Sequence, residues 1–311
     1  MSSIPVRLDP HQEKRVQLET IKSYQSAGAD FADWLLLVGW HPTGPDDWDD
    51  ALIEYKNVMS VRKAKFAHTV SAVEFFFVRY KGHLCLSHTV LAGMSVVEET
   101  KHTVPLGYRP AALMATHMVV RIKARMALGM MLQVVTGLRP TEMLHIEAGH
   151  ISLPSDVGSC LEKTPMVIAL EPKVGTKVKR PQTVRVTSKH PELVRLVALC
   201  RGATKDNQRM FPYPIEAYRK EIKHLDSFLG FSAGWGPHSP RAGYASDAVL
   251  QGTPFEEIRE GGRWSADQSL RTYLDIVSSM ATLQRAQHRG LAEALEWAGL
   301  YWPSFFSKVV W

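Results

Sequence analysis

The chain has 311 residues, of which 45% are hydrophobic, and this size and composition suit two folded domains better than one. Its formal net charge of +6 favours a polyanionic partner, either nucleic acid or an anionic membrane surface. No apolar run approaches the ~18 residues of a membrane span, and the N-terminus lacks the pattern of a signal peptide, so we expect a soluble intracellular protein.

Helical periodicity dominates the first hundred residues. Apolar spacing predicts helices over about 11–40, 48–60 and 67–80, separated by turns rich in proline, glycine and aspartate. Lys63 and Lys65 precede the third helix and are candidate contacts to a polyanion. The stretch 98–110 is polar and punctuated by proline, which is typical of a connector. We therefore predict a helical domain over 1–105 and a second domain over 106–311.

The second domain begins with an apolar segment that predicts one buried helix over about 111–135, ended by Gly137. Arg139 and Pro140 follow, and proline is best tolerated in the first turn of a helix. Arg139 should therefore lie at the start of the next helix, with Glu142 one turn further on. Free backbone N–H groups at that end suit an anion.

Strand-like alternation follows over 150–154, 166–170 and 183–187, which predicts a small antiparallel sheet. The loop before the last strand runs from Lys173 to Arg180 and carries four positive charges, including Lys177 and Lys179. Taken alone, such a loop is as often a solvated hairpin as a contact to a polyanion.

Helices resume over 191–200 and 214–229, and a glycine-rich turn then leads to His238. His238 and Arg241 are three residues apart and share a face if they lie on a helix. A short helix over 255–260 ends at two glycines, and Ser265 has the spacing of an N-cap for a further helix that contains Tyr273. Nine residues of unbroken helix would put Trp264 and Tyr273 on opposite faces, so the chain must bend at Ser265 if both reach one pocket.

These residue types suit attack on a phosphodiester without a metal ion. Arginine forks can offset the charge that develops on the nonbridging oxygens, and a tyrosine phenol can serve as nucleophile if positive charge and a base lie nearby. His238 is the candidate base and Lys173 the candidate acid for the leaving oxygen. The indole N–H of Trp264 can donate to a phosphate oxygen.

Three runs carry a family resemblance: Thr136-Gly-Leu-Arg-Pro-Thr-Glu142, His238-Ser-Pro-Arg-Ala-Gly-Tyr-Ala245 and Gly261-Gly-Arg-Trp-Ser-Ala-Asp-Gln-Ser-Leu-Arg-Thr-Tyr273. In order and spacing they resemble the signature boxes of the tyrosine recombinases, the phage-integrase-like enzymes that break and rejoin DNA. Matching the three runs residue by residue implies a catalytic set supported by Glu142, and Lys173 joins this set because Lys173-Val-Gly-Thr-Lys177 is similar to the K-x-G-x-K hairpin of these enzymes. That set comprises Arg139, Lys173, His238, Arg241, Trp264 and Tyr273. Lys177 is the alternative to Lys173, and two departures are Trp264, where histidine is commoner, and Arg263, where glycine is customary.

The resemblance also implies a fold, an activity and partners. The fold would be mainly α with a small antiparallel sheet (α+β), with a helical core-binding domain that clamps DNA and a catalytic domain. The enzyme would act on double-stranded DNA as a homotetramer on paired sites, through a 3′-phosphotyrosyl intermediate and with no metal or other cofactor. The candidate DNA contacts outside the catalytic set are Lys177, Lys179, Arg180, Lys63 and Lys65.

Two alternatives remain for the activity: strand cleavage and resealing of the type IB topoisomerase or telomere-resolvase kind, and a DNA-binding protein whose pocket is vestigial. Other sites find less support. The three cysteines are never spaced as C-x-x-C, His145 and His150 have the wrong spacing for a helical zinc pair, and Gly234-Trp-Gly236 lacks the third glycine of a dinucleotide loop. The aromatic segment after residue 280 is expected to dock on a neighbouring protomer, with folding back onto its own domain as the alternative.

Overall fold

The computed structural model describes residues 16, 18–97, 103–157, 165–170, 182–186, 189–271 and 273–311. Contacts between Cα atoms divide the chain into two units close to residue 101, and each unit has its own hydrophobic core. The DNA-clamping role of the first part stays a prediction. Among the helices of these ranges, none is both long and apolar enough to cross a membrane.

Helices make up the described part of the first unit: α1 Leu18–Val38, α2 Pro45–Val58, α3 Lys63–Phe76 and α4 Cys85–Val97, with a 3-10 turn at Val78–Tyr80. Aromatic rings fill its core, where Phe31 lies 5.1 Å from Tyr55 between ring centroids. The buried carboxylate of Asp49 accepts the backbone N–H groups of Leu86 and Ser87 at 2.7 and 2.8 Å. Helix α4 is absent from the predicted helices because its N-terminal N–H groups are satisfied by a residue far away in sequence.

The second unit consists of helices and one three-stranded sheet. Its elements are α5 Tyr108–Val120, α6 Ala124–Thr136, α7 Pro140–Leu144, β1 Ile151–Ser152, β2 Met166–Leu170, β3 Gln182–Val186, α8 Pro191–Gly202, α9 Ile215–Phe228, α10 Ser239–Leu250, α11 Phe255–Gly261, α12 Asp267–Arg271, α13 Ile276–His288 and α14 Ala292–Tyr301, with 3-10 turns at Ala148–His150, Pro154–Val157 and Trp302–Lys308. Helix α6 lies at the centre, since nearly all of its side chains are buried. The predicted fold class, mainly α with a small antiparallel sheet, is confirmed.

The sheet has the order β1-β2-β3, and both pairs of strands are antiparallel. Ile168 stands opposite Ile151 on one side and Val184 on the other, and all three side chains are buried. Alternate residues of β2 and β3 therefore contribute one apolar face to the core. The alternation in the sequence predicted this arrangement correctly.

The single helix predicted over 111–135 is wrong, because the chain breaks between α5 and α6. Ile122 takes a left-handed backbone conformation with φ of 59° and is 94% exposed. Arg121 Nε lies 3.1 Å from the buried carboxylate of Glu221, and Lys123 Nζ pairs with the same carboxylate. Residues two apart on a helix point about 200° apart, so an unbroken helix could not bring both cations to one carboxylate.

The C-terminal segment folds back onto its own unit. Trp302 and Phe306 are buried, and the indole Nε1 of Trp302 donates to the hydroxyl of Tyr108 at 3.0 Å. Both aromatic side chains belong to the core that is built around α6. From the sequence we expected this segment to dock on a neighbouring protomer, and folding back onto its own domain was the alternative.

Trp302→Ala is therefore expected to lower the free energy of unfolding by about 3 kcal/mol, because it removes a buried indole and leaves a cavity. Trp297 is the matched control: it lies in the same segment but is 49% exposed, and its replacement by alanine should cost less than about 1 kcal/mol. Urea denaturation of the two variants measures both values. Equal losses would show that the segment does not pack as described.

Candidate active site

The three sequence runs meet in the second unit. The first lies in the turn from α6 into α7, the second is the start of α10, and the third follows α11. Arg241 Nη1 donates to the carbonyl oxygen of Gly137, which joins the second run to the first. Arg263 Nη2 donates to Glu142 Oε2 at 2.8 Å, which joins the third run to the first. The guanidinium carbon of Arg241 lies 4.0 Å from the ring centroid of Trp264, which joins the second and third.

Arg139 is held at the start of α7 by Glu142. Its backbone N–H donates to Glu142 Oε2 at 2.8 Å, and its Nη1 donates to Glu142 Oε1 at 2.7 Å. Helix α6 can end just before it because Gly137 takes a left-handed conformation, with φ of 64°, that suits glycine. The Arg139 side chain remains 39% exposed, so part of its guanidinium is accessible to a ligand.

Glu142 remains a carboxylate although it is largely buried. Burial alone would raise its pKa, but the charge of Arg263, the backbone N–H of Arg139 and the charge of Arg139 together lower the pKa below its ordinary value. Glu142 thus supplies the negative charge that keeps two guanidiniums close to each other.

Arg241 is almost completely buried, at 1% exposure. Its Nη1 is bonded to Gly137, whereas its Nε and Nη2 are buried and have no acceptor among the described residues. Burial, and then the charges of Arg139 and Arg263, lower the pKa of Arg241 to about 9, so the side chain is a cation at neutral pH. A buried guanidinium with two unpaired N–H groups is a strong donor toward an anion.

Trp264 covers Arg241. A side chain on Gly262 would collide with the Trp264 ring, so the glycine that follows α11 lets the ring fold back over the backbone. The indole ring is stacked with the ring of Tyr244, at 6.3 Å and 16°, and tilted against that of Tyr273, at 5.7 Å. Its Nε1 is buried and has no acceptor in the described part of the chain.

Tyr273 lies in a turn, and the prediction that it lies within a helix is wrong. Helix α12 ends at Arg271, and the Asp275 side chain accepts the backbone N–H of Ser278 at 2.9 Å, which starts α13. The predicted bend between Trp264 and Tyr273 is present, and it brings the Tyr273 ring centroid 5.7 Å from the guanidinium carbon of Arg241. The phenol ring therefore contacts both the indole and the cation.

His238 is the N-cap residue of α10, three residues before Arg241. Burial, and then the charges of Arg241, Arg139 and Arg219, lower the pKa of its imidazole, against an opposing contribution from Glu142. The imidazole is consequently neutral near pH 7 and can accept a proton.

The basic residues predicted for the hairpin, Lys173, Lys177, Lys179 and Arg180, lie outside the described residues. Lys63 begins α3 in the first unit, and Lys65 forms an ion pair with Asp30 at 2.7 Å. The hydrogen bond from Lys65 to the Asp30 carboxylate in this ion pair raises the pKa of Lys65. Part of the Lys65 charge is thus already balanced within the unit, whereas no ion pair of Lys63 is seen among the described residues.

Sequence reasoning missed two residues of this site. Arg263 was noted only as a departure from the customary glycine, yet its side chain is 8% exposed and paired with Glu142. Tyr244 lies inside the second run and stacks on Trp264. In the sequence, Arg263 could have been recognised because it is a charged residue directly before Trp264, which was assigned to the site.

The arrangement places a neutral imidazole and a phenol ring beside three guanidiniums and one carboxylate. The surplus of positive charge favours an anion, and the two arginine forks of Arg139 and Arg241 match the geometry of phosphate oxygens. Chemically, the site can hold a phosphate beside the phenol of Tyr273.

No protein-family model and no curated protein matches the sequence. Among solved structures, the XerH site-specific recombinase bound to a palindromic difH substrate, in a post-cleavage complex, matches with a TM-score of 0.50 and 15% identity, over 81% of this chain and 73% of that chain. The XerH pre-cleavage complex with difH matches with a TM-score of 0.49 and 13% identity over 82% and 76%, and XerA recombinase with 0.42 and 15% over 90% and 95%. The first match shows that the chain has a tyrosine recombinase fold, as the sequence runs predicted.

Proposed function

We propose that this chain is a site-specific DNA recombinase that cleaves and rejoins DNA through a 3′-phosphotyrosyl intermediate on Tyr273, without a metal ion. The fold that it shares with a site-specific recombinase supports this class of function. The match is to a complex with a DNA substrate, and we carry double-stranded DNA over to this chain as its partner. We further propose a homotetramer on two DNA sites, with the first unit clamping the DNA.

One observation carries the proposal: the rings of Trp264 and Tyr273 and the guanidinium of Arg241 lie in contact, at 4.0 and 5.7 Å. These residues come from two distant runs of the sequence. A tyrosine packed in an ordinary core would need no buried arginine with unpaired N–H groups beside it, because such groups are costly without an acceptor. Oxygens of a DNA phosphate are acceptors of the right charge and geometry.

The proposed reaction follows from the chemistry of these groups. The phenolic oxygen of Tyr273 attacks the phosphorus, its proton passes to the neutral imidazole of His238, and the bond from phosphorus to the 5′ oxygen breaks. Lys173 donates the proton that the departing 5′ oxygen needs. Arg139 and Arg241 stabilise the charge on the nonbridging oxygens of the transition state, and Trp264 contributes its indole N–H. Attack by a 5′ hydroxyl on the phosphotyrosine reverses these steps and rejoins a strand.

Trapping on nicked duplexes tests this proposal. The substrates are a library of randomised duplexes, each with a nick beside the candidate phosphate. Cleavage then releases a short fragment that carries the 5′ hydroxyl. Without this hydroxyl the strand cannot be rejoined, and the protein stays attached to the DNA. Denaturation-resistant adducts are recovered, the linked peptide is identified by mass spectrometry, and the linked DNA is sequenced.

We expect attachment at Tyr273 and a shared DNA sequence among the trapped strands. Wild-type protein that binds DNA but forms no adduct would contradict the proposal and favour the vestigial DNA-binding alternative. Adducts without any shared sequence would favour the topoisomerase-like alternative.

The rate of adduct formation should depend on the ionisation of His238. Because burial and the neighbouring arginines lower the pKa of this imidazole, the base form persists to lower pH than that of an ordinary histidine. The rate should therefore hold constant from about pH 8 down to pH 7 and fall only as the pH drops through the lowered pKa. Single-turnover rates between about pH 5 and 8 measure the profile, and His238→Gln should lose this fall along with most of the rate. An identical fall in His238→Gln would assign the titration to another group.

A further inference from the structure

Arg263 occupies a backbone conformation that suits glycine. Its φ is 59°, in the left-handed region, where residues with a side chain are uncommon. Gly261 and Gly262 stand directly before it, and glycine is the residue that adopts this conformation without strain. Replacing Arg263 by glycine would therefore remove the side chain without straining the backbone.

The side chain of Arg263 shares one carboxylate with Arg139. Arg263 Nη2 lies 2.8 Å from Glu142 Oε2, and Arg139 Nη1 lies 2.7 Å from Glu142 Oε1. The two arginines differ in accessibility, because the Arg263 side chain is 8% exposed and the Arg139 side chain is 39% exposed. Arg263 therefore pairs with Glu142 from the buried side, and Arg139 is the one that a ligand can reach.

The charges explain why a second arginine is useful there. Without Arg263, the Glu142 carboxylate would pair with Arg139 alone and offset its charge, and Arg139 and Arg241 together would keep a surplus of one positive charge. With Arg263 present, Arg139, Arg241 and Arg263 face one carboxylate and leave a surplus of two positive charges. The Nε of Arg263 is buried and has no acceptor among the described residues, a cost that the ion pair with Glu142 has to offset.

We infer that Arg263 is a positioning residue: it neutralises Glu142 from the buried side, so that Glu142 orients Arg139 without cancelling the charge that Arg139 presents to the scissile phosphate. This inference rests on the proposed function of the site. Arg263 itself does not touch the phosphate.

Arg263→Gly is the informative variant, because glycine suits the backbone and only the side chain is lost. Single-turnover adduct formation on a trapped DNA sequence should slow by about 30-fold at saturating DNA. The dissociation constant for DNA should stay within about threefold, and the melting temperature should not fall, since the relaxed backbone offsets the lost ion pair. Arg263→Lys, which keeps a cation, should recover the rate to within about tenfold of wild type.

Ile122→Gly is the matched control. Ile122 has the same φ of 59°, lies in the same unit, and is 94% exposed away from the site. This variant relaxes the same kind of backbone strain without changing an arginine of the site, so its rate should equal that of wild type. Should Arg263→Gly unfold, Arg263→Gln keeps the volume of the side chain and carries the same expectation.

A double-variant cycle with Glu142→Gln tests the route of the effect. If Arg263 acts through Glu142, Arg263→Gly should slow the Glu142→Gln protein by less than about threefold. The inference is overturned if Arg263→Gly reacts within about threefold of wild type, or if the two losses multiply. Absence of any adduct with wild-type protein would instead remove the proposed function, and the inference with it.

Discussion

Tyr273→Phe is expected to abolish covalent attachment to DNA, slowing adduct formation by about 10⁴-fold or more, because it removes the attacking oxygen. The change should leave the fold intact, since the phenol ring keeps its contacts with Trp264 and Arg241. The affinity for DNA should also be unchanged, because the variant lacks only the phenolic hydroxyl and keeps the other side chains of the site. The variant thus separates chemistry from binding.

The measurement is single-turnover adduct formation on a trapped DNA sequence, together with a DNA-binding titration and a melting curve. Tyr301→Phe is the control, because Tyr301 is 51% exposed at the end of α14, where its ring contacts that of Trp297. Adduct formation by Tyr273→Phe at the wild-type rate would mean that another side chain is the nucleophile.

Arg241→Lys is expected to slow adduct formation by about 100-fold, although it conserves the charge. A lysine cannot donate to the Gly137 carbonyl and at the same time present two further N–H groups in a fork, as the Arg241 guanidinium does. It also loses the planar stacking on the Trp264 ring. The loss should appear in the rate at saturating DNA more than in affinity, because the transition state carries the additional charge.

Arg195→Lys is the control for this change, since Arg195 lies on α8 in an exposed pair with Glu192 at 2.9 Å. It should react at the wild-type rate. Melting curves of both variants distinguish a slower site from an unfolded protein. A folded Arg241→Lys protein that reacts at the rate of the control would remove Arg241 from the catalytic set.

Local patterns predicted much of the secondary structure. The alternation in residues 166–170 and 183–187 is a local property, and it gave the antiparallel pair β2 and β3 correctly. Gly137 ended its helix as predicted, because the left-handed conformation depends on one residue. The break at Ile122 and the start of α4 were missed, since each depends on a carboxylate from a distant part of the chain, Glu221 in one case and Asp49 in the other.

The same division applies to the candidate site. Residue types, order and spacing were enough to name candidate residues and to predict the tyrosine recombinase fold, because both depend on which side chains stand at which positions of the chain. The candidates within the described residues are Arg139, Glu142, His238, Arg241, Trp264 and Tyr273. Only the tertiary structure decided that Tyr273 lies in a turn, that the C-terminal aromatics fold back onto their own core, and that Arg263 shares Glu142 with Arg139. Burial and ion pairing arise from packing between segments that are far apart in sequence, so no local pattern contains them.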